Sequence, residues 1–393
     1  DFGDWFSTEW GLFLTGTVVL VLSALMFALG GVRLFFKIQA VLFALYLIGA
    51  IIVPVLVGLL TSNSTFIANF NEYAAHFGVQ DAAAKLAPAA TEAGFQPAEF
   101  SWEMTLRAVS IFWFIFGFIF SSNYFAGEIR LAKRTHIYSM PGAVLLAVIV
   151  LLCMVPTFTK AIGYDVASQL SLADPTAYGF AAGAPAYPEL IGIAAGSPVI
   201  GIIAIAGFTI ALITWLPQTL LLVSRNMFAW SFDNVMPAAL SKVDPRSRSP
   251  LIAIGVMLVL SIISTAIYSF TDWFTSITAL LGLTVSLLTT AVAGTLLPFR
   301  QRALVEASPY NGKVLGIPVL TFVGVLAMLG FGGAIAILLW DPGSGTSLSD
   351  NPGKVLLVIG VYLAAIAIWW ISRAIRKAQG IDIDLAYREL PAA

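Results

Sequence analysis

The stretch from residue 110 to 141, SIFWFIFGFIFSSNYFAGEIRLAKRTHIYSMP, combines an apolar aromatic run with residues that weaken a helix. Gly117 interrupts the run in its middle, and the polar residues Ser121, Ser122 and Asn123 follow it. At membrane depth, a glycine and small polar residues let the backbone unwind, which frees amides and carbonyls that hydrocarbon cannot satisfy. A bound solute can supply the missing hydrogen-bond partners of these groups. The pattern therefore predicts an interrupted transmembrane helix with a solute-binding site at the break.

Aromatic residues flank this glycine on both sides. Trp113, Phe114, Phe116 and Phe118 are placed to close a pocket around Gly117 from its outer side. The alternative for the aromatic residues is contact with lipid or with the bundle core. For Gly117 and the polar cluster, the alternative is close helix packing and hydrogen bonding within the bundle.

Two further groups of hydroxyl residues fall within apolar stretches. Thr209 and Thr214 interrupt the stretch 197–223 and are candidates for an ion site or a solute path. For Thr209, a hydrogen bond to its own helix is the alternative. A second, hydroxyl-rich face belongs to the stretch 274–298, and we expect most of it to join helices together. Its members are Ser276, Thr278, Thr284, Ser286, Thr289 and Thr290.

The apolar stretches carry no acidic or basic residue in their middle, although such a residue would be the usual indication of a site. Recognition must therefore come from backbone and hydroxyl groups. An enzyme is not expected, because no His/Asp/Ser group, no HExxH motif and no carboxylate pair falls within a span. With a single cysteine, Cys153, and two distant histidines, His76 and His136, we expect neither a metal site nor a cofactor.

The composition is that of a membrane protein. Hydrophobic residues make up 59% of the 393 residues and charged residues only 10%, whereas a soluble domain carries roughly 25% charged residues. Stretches of about 20 apolar residues can each cross the hydrocarbon layer. Nine occur, near 11–30, 38–60, 104–127, 140–162, 197–223, 250–269, 274–298, 316–340 and 354–373. We therefore predict an all-α polytopic membrane protein with no nucleic-acid partner.

Basic residues follow every second span, which places those connections and the C-terminus in the cytoplasm. They are Arg33 and Lys37; Arg130, Lys133 and Arg134; Arg225, Lys242, Arg246 and Arg248; Arg300, Arg302 and Lys313; and Arg373, Arg376 and Lys377. The N-terminus would then be outside. An N-terminus outside the membrane is difficult to translocate without a leader sequence. We therefore expect an odd number of spans upstream of Asp1.

The longer connections are expected to have structure of their own. The outer connections 61–103 and 163–196 are predicted to hold short amphipathic or irregular pieces. The inner connection 225–250 is too elaborate for a plain connector and is predicted to form a short helix against the cytoplasmic mouth. An amphipathic helix lying on the membrane surface is the alternative.

Three segments resemble motifs of the amino acid-polyamine-organocation permeases, in particular the archaeal and bacterial amino acid permeases. They are FAGEIRLAKR (125–134), SRNMFAWSFDNVMPAALSKVDPRSRSP (224–250) and LPFRQRALVEASPYNGKVLGIP (297–318). That family has twelve spans, with spans 1–5 and 6–10 forming inverted repeats in a LeuT-like fold. The resemblance implies a single transmembrane domain whose nine spans match family spans 4 to 12. Residues 1–60 would end the first repeat, 104–298 would form the second, and 316–378 would be two additional helices.

The resemblance also implies a function: secondary active transport of an amino acid, a polyamine or a related organic cation by alternating access, coupled to protons or sodium ions. The third span would be the family's discontinuous sixth helix, with Trp113 as its gating aromatic residue. Proton coupling through a lysine of family span 5 is disfavoured, because the stretch 43–49 has Tyr46 and no lysine. Ala132 stands where the family usually has a proline.

Two expectations accompany this reading. The chain has no counterpart of the family's first broken helix, which carries half of the substrate site, so these nine spans alone are expected to bind substrate weakly or not at all. The alternative function is that of a receptor or non-transporting membrane subunit, in which the interrupted span serves packing only.

Overall fold

A computed structural model describes residues 5–6, 8–97, 99–129, 131–178, 180, 183–271, 276–306 and 311–384. Its regular elements are helical except for one two-residue hairpin. In chain order they are α1 (Glu9–Tyr46), a π-helical turn (Leu47–Ile52), α2 (Val53–Leu60), α3 (Asn63–Ala75), α4 (Ala82–Glu92), α5 (Trp102–Phe116), a 3-10 segment (Ile119–Glu128), α6 (Ala132–Ile162), α7 (Tyr164–Leu172), a 3-10 turn (Pro175–Tyr178), α8 (Tyr187–Ala195), α9 (Pro198–Phe232), a 3-10 turn (Ala238–Ser241), α10 (Leu251–Phe270), α11 (Ser276–Arg300), α12 (Arg302–Glu306), the antiparallel strands β1 (Lys313–Val314) and β2 (Ile317–Pro318), α13 (Val319–Trp340), a 3-10 turn (Pro342–Ser344) and α14 (Pro352–Ala378).

Eight helical stretches of the described chain are long and apolar enough to cross a membrane. This confirms the predicted all-α polytopic membrane protein. Seven of the predicted spans each correspond to one stretch, although α6 begins at Ala132, before the predicted start at 140. The first stretch, Glu9–Leu60, is 52 residues long and contains both of the predicted spans 11–30 and 38–60.

This first stretch is bent at Gly31. The φ and ψ angles of Gly31, 59° and −158°, belong to a region that only glycine adopts readily. The rings of Phe27 and Phe35 lie 5.5 Å apart, whereas residues eight positions apart in a straight helix are separated by about 12 Å along the axis. A side chain at residue 31 is also excluded, because its Cβ would lie 2.1 Å from the Ser247 carbonyl oxygen.

The contacts of the two arms show that the chain reverses at this bend. Trp10 packs against Phe270, at the end of α10, with ring centroids 5.0 Å apart. At the far end of the second arm, the Thr61 hydroxyl donates to the Ala194 carbonyl in α8 at 3.1 Å. Gly31 lies instead beside Ser247, in the connection that precedes α10. The ends of the two arms therefore lie on the side of the bundle opposite to the bend.

The second arm contains a π-helical turn that the sequence pattern does not predict. Pro54 has no amide hydrogen, and its ring crowds the carbonyl of the residue four positions before it. The π-helical turn just before Pro54 widens the helix at that point. The same turn packs on α9, where a Cβ at Gly207 would come within 2.6 Å of the Ala50 nitrogen. The two backbones thus touch without intervening side chains.

The predicted separate helix in the connection 225–250 is wrong. Residues up to Phe232 extend α9, which is a continuous helix of 35 residues, and only the 3-10 turn Ala238–Ser241 follows. Several of the apolar residues that suggested an independent helix, such as Phe228 and Phe232, form the last turns of α9. Both long outer connections do contain helices, as predicted: α3, α4, α7 and α8 share a core whose fully buried side chains include Phe66, Phe70 and Tyr178.

Two apolar clusters hold the spanning helices together. One joins α1, α9 and α10 through residues such as Phe27, Leu220 and Ile254. The other joins α11, α13 and α14 through Leu280, Leu338 and Val358, with partly buried residues of α5 packed against it. Gly117 and its neighbours lie where these two groups of helices meet.

Candidate functional site

The α-helix of the third span ends within the apolar run. Helix α5 stops at Phe116, and the Gly117 amide donates to the Trp113 carbonyl at 2.7 Å. Phe118 then leaves helical geometry, with φ −105° and ψ 6°. The predicted interruption at Gly117 is therefore confirmed.

An interrupted helix would return to α-helical geometry after the break. The segment that follows Gly117 does not. It is a 3-10 segment of 10 residues, Ile119–Glu128, although 3-10 runs longer than three or four residues are uncommon. A 3-10 ladder joins residues three apart and an α ladder residues four apart. The last carbonyls of α5 therefore lose their regular donors at the junction.

The polar residues after the break bond mostly within the protein. The Ser121 hydroxyl, which is buried, donates to the Phe118 carbonyl at 2.6 Å, and the Ser121 amide bonds the same oxygen at 3.0 Å. The Ser122 hydroxyl lies 3.3 Å from His136 Nδ1 on α6. Asn123 is exposed. Ser121 thus stabilises the backbone next to the break at Gly117. This agrees with the alternative in which the polar cluster forms hydrogen bonds within the bundle.

Trp113 is held between two helices. Its indole Nε1 donates to the Thr284 hydroxyl on α11 at 2.7 Å, and its ring packs edge-on against Phe331 of α13 at 5.6 Å. Thr284 in turn donates to the Leu280 carbonyl. The structure therefore gives Trp113 a packing role that anchors the end of α5; a gating role stays a prediction.

We expect this tryptophan–threonine hydrogen bond to stabilise the bundle measurably. A double-mutant cycle with Trp113→Phe and Thr284→Val should give a coupling of roughly 0.6–1 kcal/mol, the usual size of interhelical hydrogen bonds in membranes. The measurement is reversible unfolding of the purified protein in mixed micelles with increasing dodecyl sulfate. Additive effects of the two substitutions would show that the bond contributes nothing.

One wall of the break is aromatic. Trp215 of α9 packs edge-on against Phe118 at 4.8 Å and stacks on Phe114 at 6.3 Å, and Phe114 also contacts Phe118. Phe116 is half-buried. Trp215 is not among the site residues predicted from the sequence. No local signal pairs it with Phe118, because about a hundred residues separate them.

A second irregular backbone position lies beside this aromatic group. Pro217 falls inside α9 and has no amide hydrogen, so the Ile213 carbonyl lacks its regular helix donor. Trp215 stands between these two residues in the chain and contacts Phe118. Two helices thus present weakened backbone ladders close to one aromatic cluster. Carbonyl oxygens at such positions suit an ammonium group.

The two threonines of α9 do not form a common site. Thr214 is buried, and its hydroxyl donates to the Ala211 carbonyl of its own helix at 2.8 Å. Thr209 is exposed on the same helix. Thr209 lies two residues after Gly207, which packs on the π-helical turn. An ion-binding role for either residue stays a prediction.

Among the described hydroxyl residues of α11, Thr284 and Ser286 bond neighbouring helices, whereas Thr289 and Thr290 bond α11 itself. The Ser286 hydroxyl bonds Tyr362 of α14 at 2.6 Å, and Tyr362 also donates to the Gly282 carbonyl. The hydroxyls of Thr289 and Thr290 both donate to the Ser286 carbonyl. The side chains of Ser276 and Thr278 lie outside the described residues.

A cavity of about 450 Å³ lies away from the break, between α3, α8 and the start of α9. Its walls include Tyr73, Glu72, His76 and Glu189. Burial raises the pKa of the Tyr73 phenol, and the nearby Glu189 carboxylate adds to this effect. In the part of the chain that the structure describes, no three histidine, cysteine or acidic residues lie close enough together to hold a metal ion.

Comparison of the chain with models of protein families, with curated proteins and with solved structures gave no significant match. The likeness to amino acid-polyamine-organocation permeases therefore depends on the sequence motifs alone.

Proposed function

We propose that this protein is a secondary active transporter that moves an amino acid, a polyamine or a related organic cation across the cytoplasmic membrane by alternating access. The observation that carries the proposal is the end of α5 at Phe116, in the middle of an apolar span, where a 3-10 segment takes over. Irregular backbone at membrane depth is tolerated where it lines a cavity or is buried in protein. Transporters use such breaks as their substrate sites.

The bend at Gly31 supports the proposed number of spans. Counted as two arms, the first stretch brings the number of crossings to nine, and we propose that these correspond to spans 4 to 12 of the twelve-span, LeuT-like permease fold. The C-terminus is then cytoplasmic. Residues 1–60 end the first inverted repeat, 104–298 form the second, and 316–378 add two helices.

Recognition in this proposal is by backbone dipoles. The carbonyl end of α5 and the Ile213 carbonyl provide partial negative charge for a substrate ammonium group. The amides that open the 3-10 segment at Ile119 provide partial positive charge for a carboxylate. Phe118 and Trp215 close the apolar side of the pocket, and Phe116, Ser122 and Asn123 are further candidates. Substrate side chains are not selected by any charged residue.

The packing of the third span suits a rocking motion. Its outer half, α5, packs on α13, whereas the 3-10 segment packs on α6 and α9. The two halves of the span therefore have largely different neighbours, with α9 shared through Phe114, and the break at Gly117 is the natural hinge. A substrate bound at this hinge contacts both halves.

The competing proposal is a receptor or non-transporting subunit. It is favoured by the hydrogen bonds of Trp113 and Ser121, both of which stay within the bundle. In that case the break would serve helix packing only.

Uptake of radiolabelled amino acids and putrescine into proteoliposomes that contain the full-length protein tests the two proposals. We expect accumulation that depends on an imposed sodium or proton gradient, and dissipation of each gradient in turn identifies the coupling ion. Tyr268→Phe, an exposed substitution on α10, serves as a control that should leave accumulation unchanged. Saturable binding of an amino acid without any uptake would contradict transport and support a receptor.

A further inference from the structure

A basic cavity lies at the bend of α1, on the side of the bundle opposite to the outer helices α3 and α4. Its volume is about 680 Å³. The bend, the inner half of α9 and the connection before α10 all contribute to its walls. Its lining residues are Gly30, Val32, Arg33, Arg225, Arg246, Ser247 and Arg248.

Of the described residues that line this cavity, four are arginines and none is acidic. The side chains of Arg33, Arg246 and Arg248 are exposed, and none of the three forms an ion pair within the described part of the chain. The fourth, Arg225, is half-buried and lies 6.0 Å from the Phe228 ring, so it forms a more rigid wall. The cavity therefore concentrates positive charge at the membrane edge.

The acidic residue closest in sequence, Asp244, forms no ion pair with Arg33, Arg246 or Arg248 among the described residues, and its carboxylate is used to fold the connection. Its carboxylate accepts hydrogen bonds from the Ser247 amide at 2.7 Å, the Ser247 hydroxyl at 3.0 Å and the Arg246 amide at 3.0 Å. These hydrogen bonds, chiefly those from Ser247, lower the pKa of Asp244, and the Arg246 charge adds to the effect. Asp244 is thus a structural anion that holds the loop.

The same loop fixes the backbone positions of Arg246 and Arg248. The Asp244 amide bonds the Ser249 carbonyl at 3.0 Å, and the Arg248 amide bonds the Asp244 carbonyl at 2.9 Å. Ser247 is buried against Gly31, whose missing side chain allows the close approach. A preorganised site loses less conformational freedom when it binds a ligand.

We propose that this cavity binds the phosphate group of an anionic phospholipid headgroup and thereby fastens the connection 244–249 to the bend of α1. Arginine guanidinium groups match phosphate oxygens with paired hydrogen bonds. Basic pockets between spanning helices on the cytoplasmic side are suited to acidic headgroups, whose lipids are concentrated in that leaflet. The inference is independent of the transport proposal, since its readout is lipid binding.

The test measures binding of short-chain phosphatidylglycerol to the purified full-length protein, with phosphatidylcholine of equal chain length and inorganic phosphate as separate arms. We expect phosphatidylglycerol to bind at least about 10-fold more tightly than either. Each of Arg33→Gln, Arg246→Gln and Arg248→Gln should weaken it about 5-fold, the effect of roughly 1 kcal/mol per basic residue at an anionic surface. Arg300→Gln, an exposed arginine at the end of α11, is the matched control and should change nothing.

A salt titration on the unaltered protein provides a second measurement that does not depend on the folding of any variant. Screening should weaken phosphatidylglycerol binding several-fold at high ionic strength and leave phosphatidylcholine binding nearly constant. Equal binding of the two lipids, or equal losses in Arg300→Gln and the cavity variants, would overturn the proposal. Inorganic phosphate that binds as tightly as phosphatidylglycerol would overturn the lipid assignment in favour of a soluble phosphate ligand.

Discussion

Replacing Gly117 by leucine should reduce uptake by roughly 100-fold, because a displacement of about 1 Å at a binding site can have an effect of that size. A Cβ at this position would lie 2.9 Å from the Trp113 carbonyl oxygen and 3.4 Å from Leu280 Cδ1. The larger leucine side chain would push α5 away from α11 and close the space at the break. Initial uptake rates in proteoliposomes, normalised to inserted protein, are the measurement.

Gly142→Leu is the matched control for this prediction. Gly142 is also a glycine in a spanning helix, but a Cβ there has no neighbour within 4 Å. It should therefore retain normal uptake. Equal uptake by the two variants would mean that the break at Gly117 is not used by a solute.

The second large effect concerns stability. Gly207→Ala should destabilise the bundle by about 1–3 kcal/mol, the usual cost of overpacking a rigid contact. The added Cβ would lie 2.5 Å from the Gly49 carbonyl carbon and 2.6 Å from the Ala50 nitrogen. Both atoms belong to the backbone of the π-helical turn and cannot move aside as a side chain can.

Unfolding in mixed micelles with dodecyl sulfate, or thermal unfolding in detergent, measures this loss. Gly255→Ala is the control, because a Cβ at that helical position meets nothing within 4 Å. It should be neutral or slightly stabilising, since alanine favours a helix more than glycine does. A Gly207→Ala protein as stable as Gly255→Ala would contradict the close backbone contact between the π-helical turn and α9.

The spanning helices could be predicted from the sequence because hydrocarbon imposes long apolar runs, and the interruption at Gly117 could be predicted because a glycine followed by polar residues is a local signal. The bend at Gly31 could not, since its backbone angles matter only together with the Ser247 carbonyl that packs against it. The extension of α9 to Phe232 was mistaken for a separate helix because basic residues in that region suggested a loop.

The candidate site was predicted less fully than the fold. The hydrogen bond of Thr214 to its own helix was not predicted, and Trp113 was selected without its partner Thr284. The contact between Phe118 and Trp215 joins residues that are distant in the chain, so no spacing reveals it. Long-range side-chain pairs depend on how helices pack, and apolar periodicity in a membrane does not specify that packing.

The central claim, that a solute completes the open backbone at Gly117, is tested most directly by amide hydrogen exchange of the full-length protein in nanodiscs. Exchange is compared with and without a mixture of the standard amino acids, putrescine and spermidine. We predict that amides in 114–122 exchange faster than those of the continuous helix α13 and are slowed by the mixture. Exchange in 114–122 as slow as in α13, and unchanged by the mixture, would contradict the claim.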